Sequence, residues 1–329
     1  MTKIVNQFEG KKIMVIGDIM LDKYIWGNVD RISPEAPVPI IEVIRESQTL
    51  GAAANVANHI LALYGVPILV GVIGEDEAGA NLISVMKERQ MDTAGIFIDP
   101  SRPTTTKTRL VVERPHQQIA RIDNEKKTPI TGEIRSKVYE FVYSIGSKVD
   151  AILFEDYDKG MLSGKLIKKI ISAFKDKIIT ADPKFSNFFE YEKITLFKPN
   201  RKEVERAMGV KFDLQLDSQN TKSVVHKLRK RLGCKHILLT LGEQGMLLFD
   251  SDSESIIPTK AREIYDTTGA GDSVIAVVTI ALATGAIAKD AAIIGNIAAG
   301  IEVSKFGTVP VTYEELLSAI KDEESHNLR

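Results

Sequence analysis

The segment Asp266-Thr-Thr-Gly-Ala-Gly-Asp272 carries the sharpest chemistry in the chain. Glycines at 269 and 271 let the backbone turn tightly and approach a ligand. An uncharged apolar run begins at Ser273, so the glycines stand where a helix would start. Free N–H groups and the dipole at such an end favour a phosphate or a developing negative charge. Asp272, in the first turn, could take the proton of a hydroxyl as phosphate is transferred to it. The helix end should depress its pKa and make it a weak base, which a loose transition state tolerates. Two other phosphate-binding patterns fail on spacing. Gly269, Gly271 and Val274 break Gly-x-Gly-x-x-Gly, and no Gly-x-x-x-x-Gly-Lys-Ser/Thr occurs.

Further polar groups follow strand-like runs. Gly17-Asp-Ile-Met-Leu-Asp22 offers two carboxylates, Asp18 and Asp22, to sugar hydroxyls. Leu50-Gly-Ala-Ala-Ala-Asn55 opens a small-residue helix, where Gly51 permits close approach and Asn55 supplies a donor and an acceptor. Glu155-Asp156-Tyr-Asp-Lys159-Gly160, Asp182-Pro-Lys184, Lys198-Pro-Asn200-Arg-Lys-Glu203 and Thr240-Leu-Gly242-Glu243-Gln-Gly245 come later. Asn200 and Glu203 share a helix face at i, i+3. Each segment alone also reads as a cap, a hairpin or close helix packing. Together, beside an anion-binding helix, they describe a phosphate and sugar cleft.

The elements that must position these groups alternate. Apolar runs at 12–17, 68–73, 151–154, 178–181, 194–197 and 236–240 read as buried strands. Helical patterns lie at 52–64, 78–90, 134–145, 165–174, 202–208 and 221–232. This α/β order predicts a parallel sheet covered on both faces, with ligands at the carboxyl ends of its strands. Residues 37–45 and 104–123 depart from it and read as a small β-sheet lid, inserted near 34–47 and 102–123. Edge strands of the main sheet are the alternative. With no repeat and no long linker, a single domain over 1–329 is expected.

Composition sets limits. The chain has 329 residues, 44% hydrophobic and 26% charged, which excludes a disordered or collagen-like protein. A net charge of -1, from 43 basic and 44 acidic residues, speaks against a nucleic-acid partner. Cys234 is the only cysteine, and His59, His116, His226, His236 and His326 show no metal-ligand spacing. Residues 273–288 fall short of the ~18 apolar residues of a spanning helix, and residues 1–12 lack a signal-peptide core. A cytoplasmic protein with no membrane partner is expected. Exposed edges of the lid predict a homodimer.

These residues resemble the ribokinase (PfkB) sugar kinases, whose two signatures are similar to Asp266-Thr-Thr-Gly-Ala-Gly-Asp272 and Gly51-Ala-Ala-Ala-Asn55. The resemblance is closer still to the heptose 7-phosphate kinases of lipopolysaccharide-core synthesis and spans almost the whole chain. Residues 17–27 and 31–39 carry it, with Lys107-Thr-Arg109, Gln117-Gln118, Arg121, Asp156, Lys159-Gly160 and Asp182-Pro-Lys184. It implies a three-layer α/β/α ribokinase-like fold with a β lid. It implies ATP-dependent phosphorylation of the anomeric hydroxyl of D-glycero-D-manno-heptose 7-phosphate, with fructose, ribose or another sugar phosphate as the runner-up. A catalytically silent binding protein on this fold is the alternative from another class.

On this resemblance Asp272 is the base, and Gly269, Ala270 and Gly271 form the anion hole. Asn200 and Glu203 organise Mg²⁺, Glu203 through water. Thr240, Gly242, Glu243 and Gly245 meet the nucleotide, and Asn296 lies beside the adenine. Asp18, Asp22, Arg31, Gly51, Asn55, Lys107, Arg109, Gln118, Asp156, Lys159 and Lys184 surround the sugar phosphate. Asp266 and Thr268 match positions that bind a monovalent cation, K⁺, in some members. Two departures stand out: Gly51-Ala52 where the family often has Gly-Gly, and Glu113-Arg-Pro-His116 in the lid. With no nucleotidylyltransferase segment after residue 319, a stand-alone kinase is expected.

Overall fold

A computed structural model describes residues 1–114, 117–212, 218–250, 253–260 and 265–326; Pro115 and His116 of the lid stretch lie outside them. Helix α1 (Thr2–Val5) precedes β1 (Lys12–Gly17), β2 (Ile19–Ile32), β3 (Pro39–Ala52), α2 (Ala53–Ala62) and β4 (Val66–Ile73). Then come α3 (Glu77–Glu88), β5 (Ile96–Ile98), β6 (Thr105–Val112), β7 (Gln118–Asn124), α4 (Gly132–Ile145) and β8 (Ala151–Glu155). The chain continues with α5 (Gly164–Ala173), β9 (Ile178–Asp182), β10 (Leu196–Phe197), α6 (Arg201–Met208) and α7 (Gln219–Leu232). Strands β11 (His236–Thr240), β12 (Met246–Phe249) and β13 (Glu254–Ile257) lead to α8 (Ala270–Ala283), α9 (Ala288–Glu302) and α10 (Tyr313–His326).

Among the described residues the strands form two sheets. The larger has nine strands in the order β13-β12-β11-β10-β9-β8-β1-β4-β5. Neighbours from β11 to β5 run parallel, while β11, β12 and β13 form an antiparallel meander. The carboxyl ends of β1, β8, β9, β10 and β11 therefore share one edge. Successive β1 side chains alternate between faces. Ile13 and Val15 join Ala53, Ile60, Ile275 and Ile294 of α2, α8 and α9, whereas Met14 and Ile16 join Val138, Ile167 and Val225 of α4, α5 and α7. Burying each aliphatic side chain contributes roughly 1.5–3 kcal/mol. The result is the expected α/β/α sandwich. The apolar run after Ser273 is the buried core helix α8, and no helix among the described residues is long and apolar enough to cross a membrane.

The second sheet has four strands in the order β3-β2-β6-β7 and is separate from the first, which removes the edge-strand alternative. It is wider than the sequence pattern predicts. Its strands occupy 19–52 and 105–124, not only the stretches near 34–47 and 102–123. The missed strand is β2. Met20, Leu21, Tyr24 and Trp26 are buried at its root, so its start reads as a continuation of β1. Pro39 opens β3, because a strand's first residue tolerates the missing donor.

Candidate active site

Helix α8 is capped by Gly269, whose φ of +93° lies in the left-handed region. Glycine adopts this conformation without strain, and a Cβ there would stand 2.5 Å from Glu302 Oε1. No side chain caps this end; in the first turn the Ala270 and Asp272 N–H groups donate to Thr267 O and Gly269 O, which leaves the Gly271 N–H to meet an anion. Asp272, 5% exposed, lies in that turn. Asn55 Nδ2 of α2 donates to its Oδ2 at 2.9 Å, and the Tyr157 hydroxyl donates to its Oδ1 at 3.0 Å. The helix end alone predicts a depressed pKa; the structure reverses this. Burial pushes Asp272 up to about 6; the Asn55 hydrogen bond opposes the rise, and the Asp182 and Glu302 carboxylates add to it. A carboxylate raised in this way is a better proton acceptor for a hydroxyl.

Strand register builds the floor. Glu155 ends β8 opposite Asp182 at the end of β9, so two carboxylates emerge side by side. Asp272 joins them, one oxygen of each lying within 4.8 Å of the others. Lys198, just after β10, enters the group with Nζ 2.7 Å from Asp182 Oδ2. That ammonium supplies the positive charge the carboxylates require, and the cluster reads as acids around a lysine. Burial raises Glu155 well above the carboxylate range, and Asp182 and Asp272 push the same way.

The sugar-side residues divide. Asp22 is buried and paired with Arg109, its Oδ1 2.5 Å from Nη1. A Cβ on Gly51 would overlap Asp22 Oδ2, so Gly51 makes room for that carboxylate. Lys107 lies opposite Asp22 in the small sheet, with Nζ 5.0 Å from the centroid of Tyr157. Lys184 Nζ stands 4.9 Å from the same centroid and 2.8 Å from Glu203 Oε1. Burial works against the charge on Lys184, but Asp182 and Glu203 outweigh it and raise its pKa. Lys159 is already paired with Glu125 Oε2 at 2.6 Å.

Four expectations need correction. Asp18 does not present its carboxylate to a sugar; it accepts the N–H groups of Tyr157, Lys159 and Met161 at 2.8, 3.1 and 3.1 Å. Burial and the neighbouring Asp156 push its pKa up to about 6. Asp156 likewise turns inward, accepting from Asp158 N, Asn187 Nδ2 and Tyr191 OH at 2.9, 3.0 and 2.7 Å. Both moor the loop after β8. Arg31 lies opposite Ile40 at the outer end of β2, nine residues or roughly 30 Å of strand beyond Asp22. Gln118 is exposed at the start of β7. Neither is brought to Asp272.

On the other side of Asp272 a cleft of about 740 Å³ opens. Asn200, Thr240, Gly242, Glu243, Gly245 and Asn296 line it, as do Gly269, Ala270, Gly271 and Asp272. Gly245 has φ +93°, and a Cβ there would strike the Ile257 carbonyl. Asn296 Nδ2 donates to Pro258 O at 2.7 Å. Asn200 and Glu203 form a reciprocal capping box at the start of α6. Glu203 thus holds Asn200 N with Oε2 and Lys184 with Oε1. The turn before α8 is tied down by Asp266, which accepts Thr268 N at 2.8 Å and Gly307 N at 3.2 Å. Tyr157, Asp182 and Lys198 also line the cleft; they stand in segments singled out in the sequence, where none of the three gains a role of its own. The rule that ligands meet residues at the carboxyl ends of parallel strands points to all three.

A family model described as pfkB family carbohydrate kinase matches residues 10–314. The chain belongs to this family. It is therefore an ATP-dependent sugar kinase, of a family that binds sugar and ATP and implies a divalent metal. Similar relatives include the bifunctional protein HldE of Helicobacter pylori, 40% identical over 308 residues, which are 93% of this chain and 65% of that protein. The bifunctional protein HldE of Trichlorobacter lovleyi is 40% identical over 315 residues, 95% of this chain and 63% of that protein. The chain thus spans just under two-thirds of the length of these curated relatives. Among solved structures, Escherichia coli phosphofructokinase-2 in complex with potassium shares the fold with a TM-score of 0.78 and 18% identity, over 96% of this chain and 99% of that one. Arabidopsis thaliana ribokinase complexed with ribose and ATP gives 0.73 and 19%, over 95% and 99%.

Proposed function

We propose that this pfkB kinase phosphorylates the anomeric hydroxyl of D-glycero-D-manno-heptose 7-phosphate, giving the 1,7-bisphosphate, in cytoplasmic synthesis of ADP-heptose for the lipopolysaccharide core. The observation that carries the reading is Lys107. It reaches from the small sheet toward Tyr157 beside the base, and it makes no salt bridge among the described residues. Burial lowers its pKa, and Lys159, Arg109 and Arg121 add to this against the opposing effect of Asp22. A phosphate already on the sugar would relieve that crowding of cations. The HldE relatives support the same reading.

In the transfer, the sugar O–H gives its proton to Asp272 as its oxygen attacks the γ-phosphorus of ATP and the bond to the β-phosphate oxygen breaks. The Gly271 N–H at the start of α8 meets the charge on the transferred group. The cleft lined by Thr240, Gly242, Gly245 and Asn296 takes the nucleotide. Mg²⁺ would be held at Asn200 and Glu203 only through water, because Asn200 N–H and Lys184 already occupy the two Glu203 oxygens; bound there, it would neutralise phosphate charge. K⁺ would belong beside Asp266 and Thr268, where the turn before α8 meets Gly307. The small sheet acts as a lid on the sugar and joins two copies into a homodimer.

One observation favours a kinase of plain sugars instead: Arg109, Arg121 and Lys159 are already paired with Asp22, Asp123 and Glu125. Rates with heptose 7-phosphate, fructose 6-phosphate, fructose and ribose, measured side by side, decide between the two. Heptose 7-phosphate should give the highest kcat/KM. A wide lead for fructose or ribose would remove the heptose assignment and leave the kinase standing.

A further inference from the structure

Tyr157 lines the cleft and touches the base, yet it exchanges no proton in the transfer as derived. It sits directly past β8, with its N–H held by Asp18 Oδ2 at 2.8 Å. Its hydroxyl donates to Asp272 Oδ1 at 3.0 Å, while Asn55 holds Oδ2 at 2.9 Å. The carboxylate is clamped between donors from two separate elements and cannot rotate without breaking one bond. The same ring faces two ammonium groups, Lys107 from the small sheet and Lys184 from the end of β9, at 5.0 and 4.9 Å from its centroid. Tyr157 thus contacts the base, a lid cation and a body cation at once.

We propose that Tyr157 is a positioning residue for phosphoryl transfer. Its hydroxyl fixes the plane of the Asp272 carboxylate so that a lone pair faces the acceptor hydroxyl, and its ring seats the two lysines around that point. This rests on the reading of Asp272 as the base. A carboxylate free to turn is misplaced for much of the time, and small misplacements cost up to about a hundredfold in rate.

Tyr157→Phe keeps the ring and the lysine contacts and removes only the hydroxyl. With the best sugar of the panel, kcat should fall between about tenfold and a hundredfold, with KM for sugar and ATP within about twofold of wild type. The same change introduced into Asp272→Asn should move the residual rate less than about twofold, because no base remains to be aimed. Rates are compared below the melting temperature of every variant. An unchanged kcat, an equal loss in both backgrounds, or a raised sugar KM at constant kcat would each overturn the proposal. Near-normal turnover of Asp272→Asn alone would instead overturn the base assignment beneath it.

Discussion

Replacing Asp272 with Asn should destroy activity and strengthen the fold. The carboxyl is almost fully buried, and its pKa rises from 3.8 to about 6. A difference of about two pKa units corresponds to about 3 kcal/mol at 1.36 kcal/mol each. The sign follows from proton binding. The folded state holds the Asp272 proton more tightly than the unfolded chain, so stability is greatest below pH 4 and declines as pH rises through 6. Above that pH the ionised group sits in the fold at its full cost. Asn cannot ionise. Its carbonyl can still accept from Tyr157, and the buried Asn55 Oδ1, which lacks a partner, can turn to accept its amide. Weaker hydrogen bonds to a neutral group return about 1 kcal/mol. A net gain of about 2 kcal/mol remains at pH 7.5, enough to raise Tm by a few degrees. Melting curves of both proteins from pH 4.5 to 8 test this, alongside kcat, which should fall by roughly 10²–10⁴. Asp18 is also pushed up to about 6, but it is present in both proteins and cancels in the comparison. A lower Tm for Asp272→Asn, or a difference independent of pH, would refute the claim that burial among carboxylates sets the basicity of this group.

Lys107→Ala should lower kcat/KM for a phosphorylated sugar by about tenfold or more and leave an unphosphorylated one nearly unchanged, since one charge-assisted phosphate contact contributes about 1.5–3 kcal/mol. Glu203→Gln should raise the Mg²⁺ needed for half-maximal rate more than it raises sugar KM; the reverse would remove Glu203 from the metal's water shell. Trypsin should cut the free protein at the exposed Arg31, Arg45 and Arg121 of the small sheet, and sugar with a nonhydrolysable ATP analogue should protect those bonds; equal cleavage would mean a static sheet. Ile32 and Ile122 remain 62% and 58% exposed on that sheet, so sedimentation should show a dimer that Ile122→Glu converts to monomer.

What could be read from the letters depended on whether a residue's type dictates its direction. Gly269 and Asp272 were legible because the glycine can serve in a positive-φ turn and the acid then falls in the first helical turn. Buried strands were legible because parallel strands covered on both faces are apolar throughout. Asp18, Asp22 and Asp156 look alike in sequence, each an acid near the end of a strand. Only the folded chain turns Asp18 and Asp156 into their own loop and Asp22 toward Arg109. Asn200 and Glu203 carry the same ambiguity: one spacing describes a capping box and a metal organiser, and the structure contains the first. Tyr157 and Lys198 stand in segments the sequence singles out but gain no role of their own there, because an aromatic or a lysine beyond a strand ordinarily marks core or solvent. Here the adjoining carboxylates hold both in the cleft.

The buried acids explain why this edge of the sheet is arranged as it is. Asp18 gathers three N–H groups of the loop after β8, and Asp156 pins that loop from beneath through Asn187 and Tyr191. The loop so moored delivers the Tyr157 hydroxyl to Asp272. Asp18, Asp156, Glu155 and Asp272 all have pKa values raised mainly by burial, so each is held ionised only at some cost to the fold. Apolar side chains in these places would pack without that cost, but they would leave the loop N–H groups unpaired and the base unaimed. Stability given up at the carboxyl edge is the physical counterpart of a base strong enough to accept the sugar's proton.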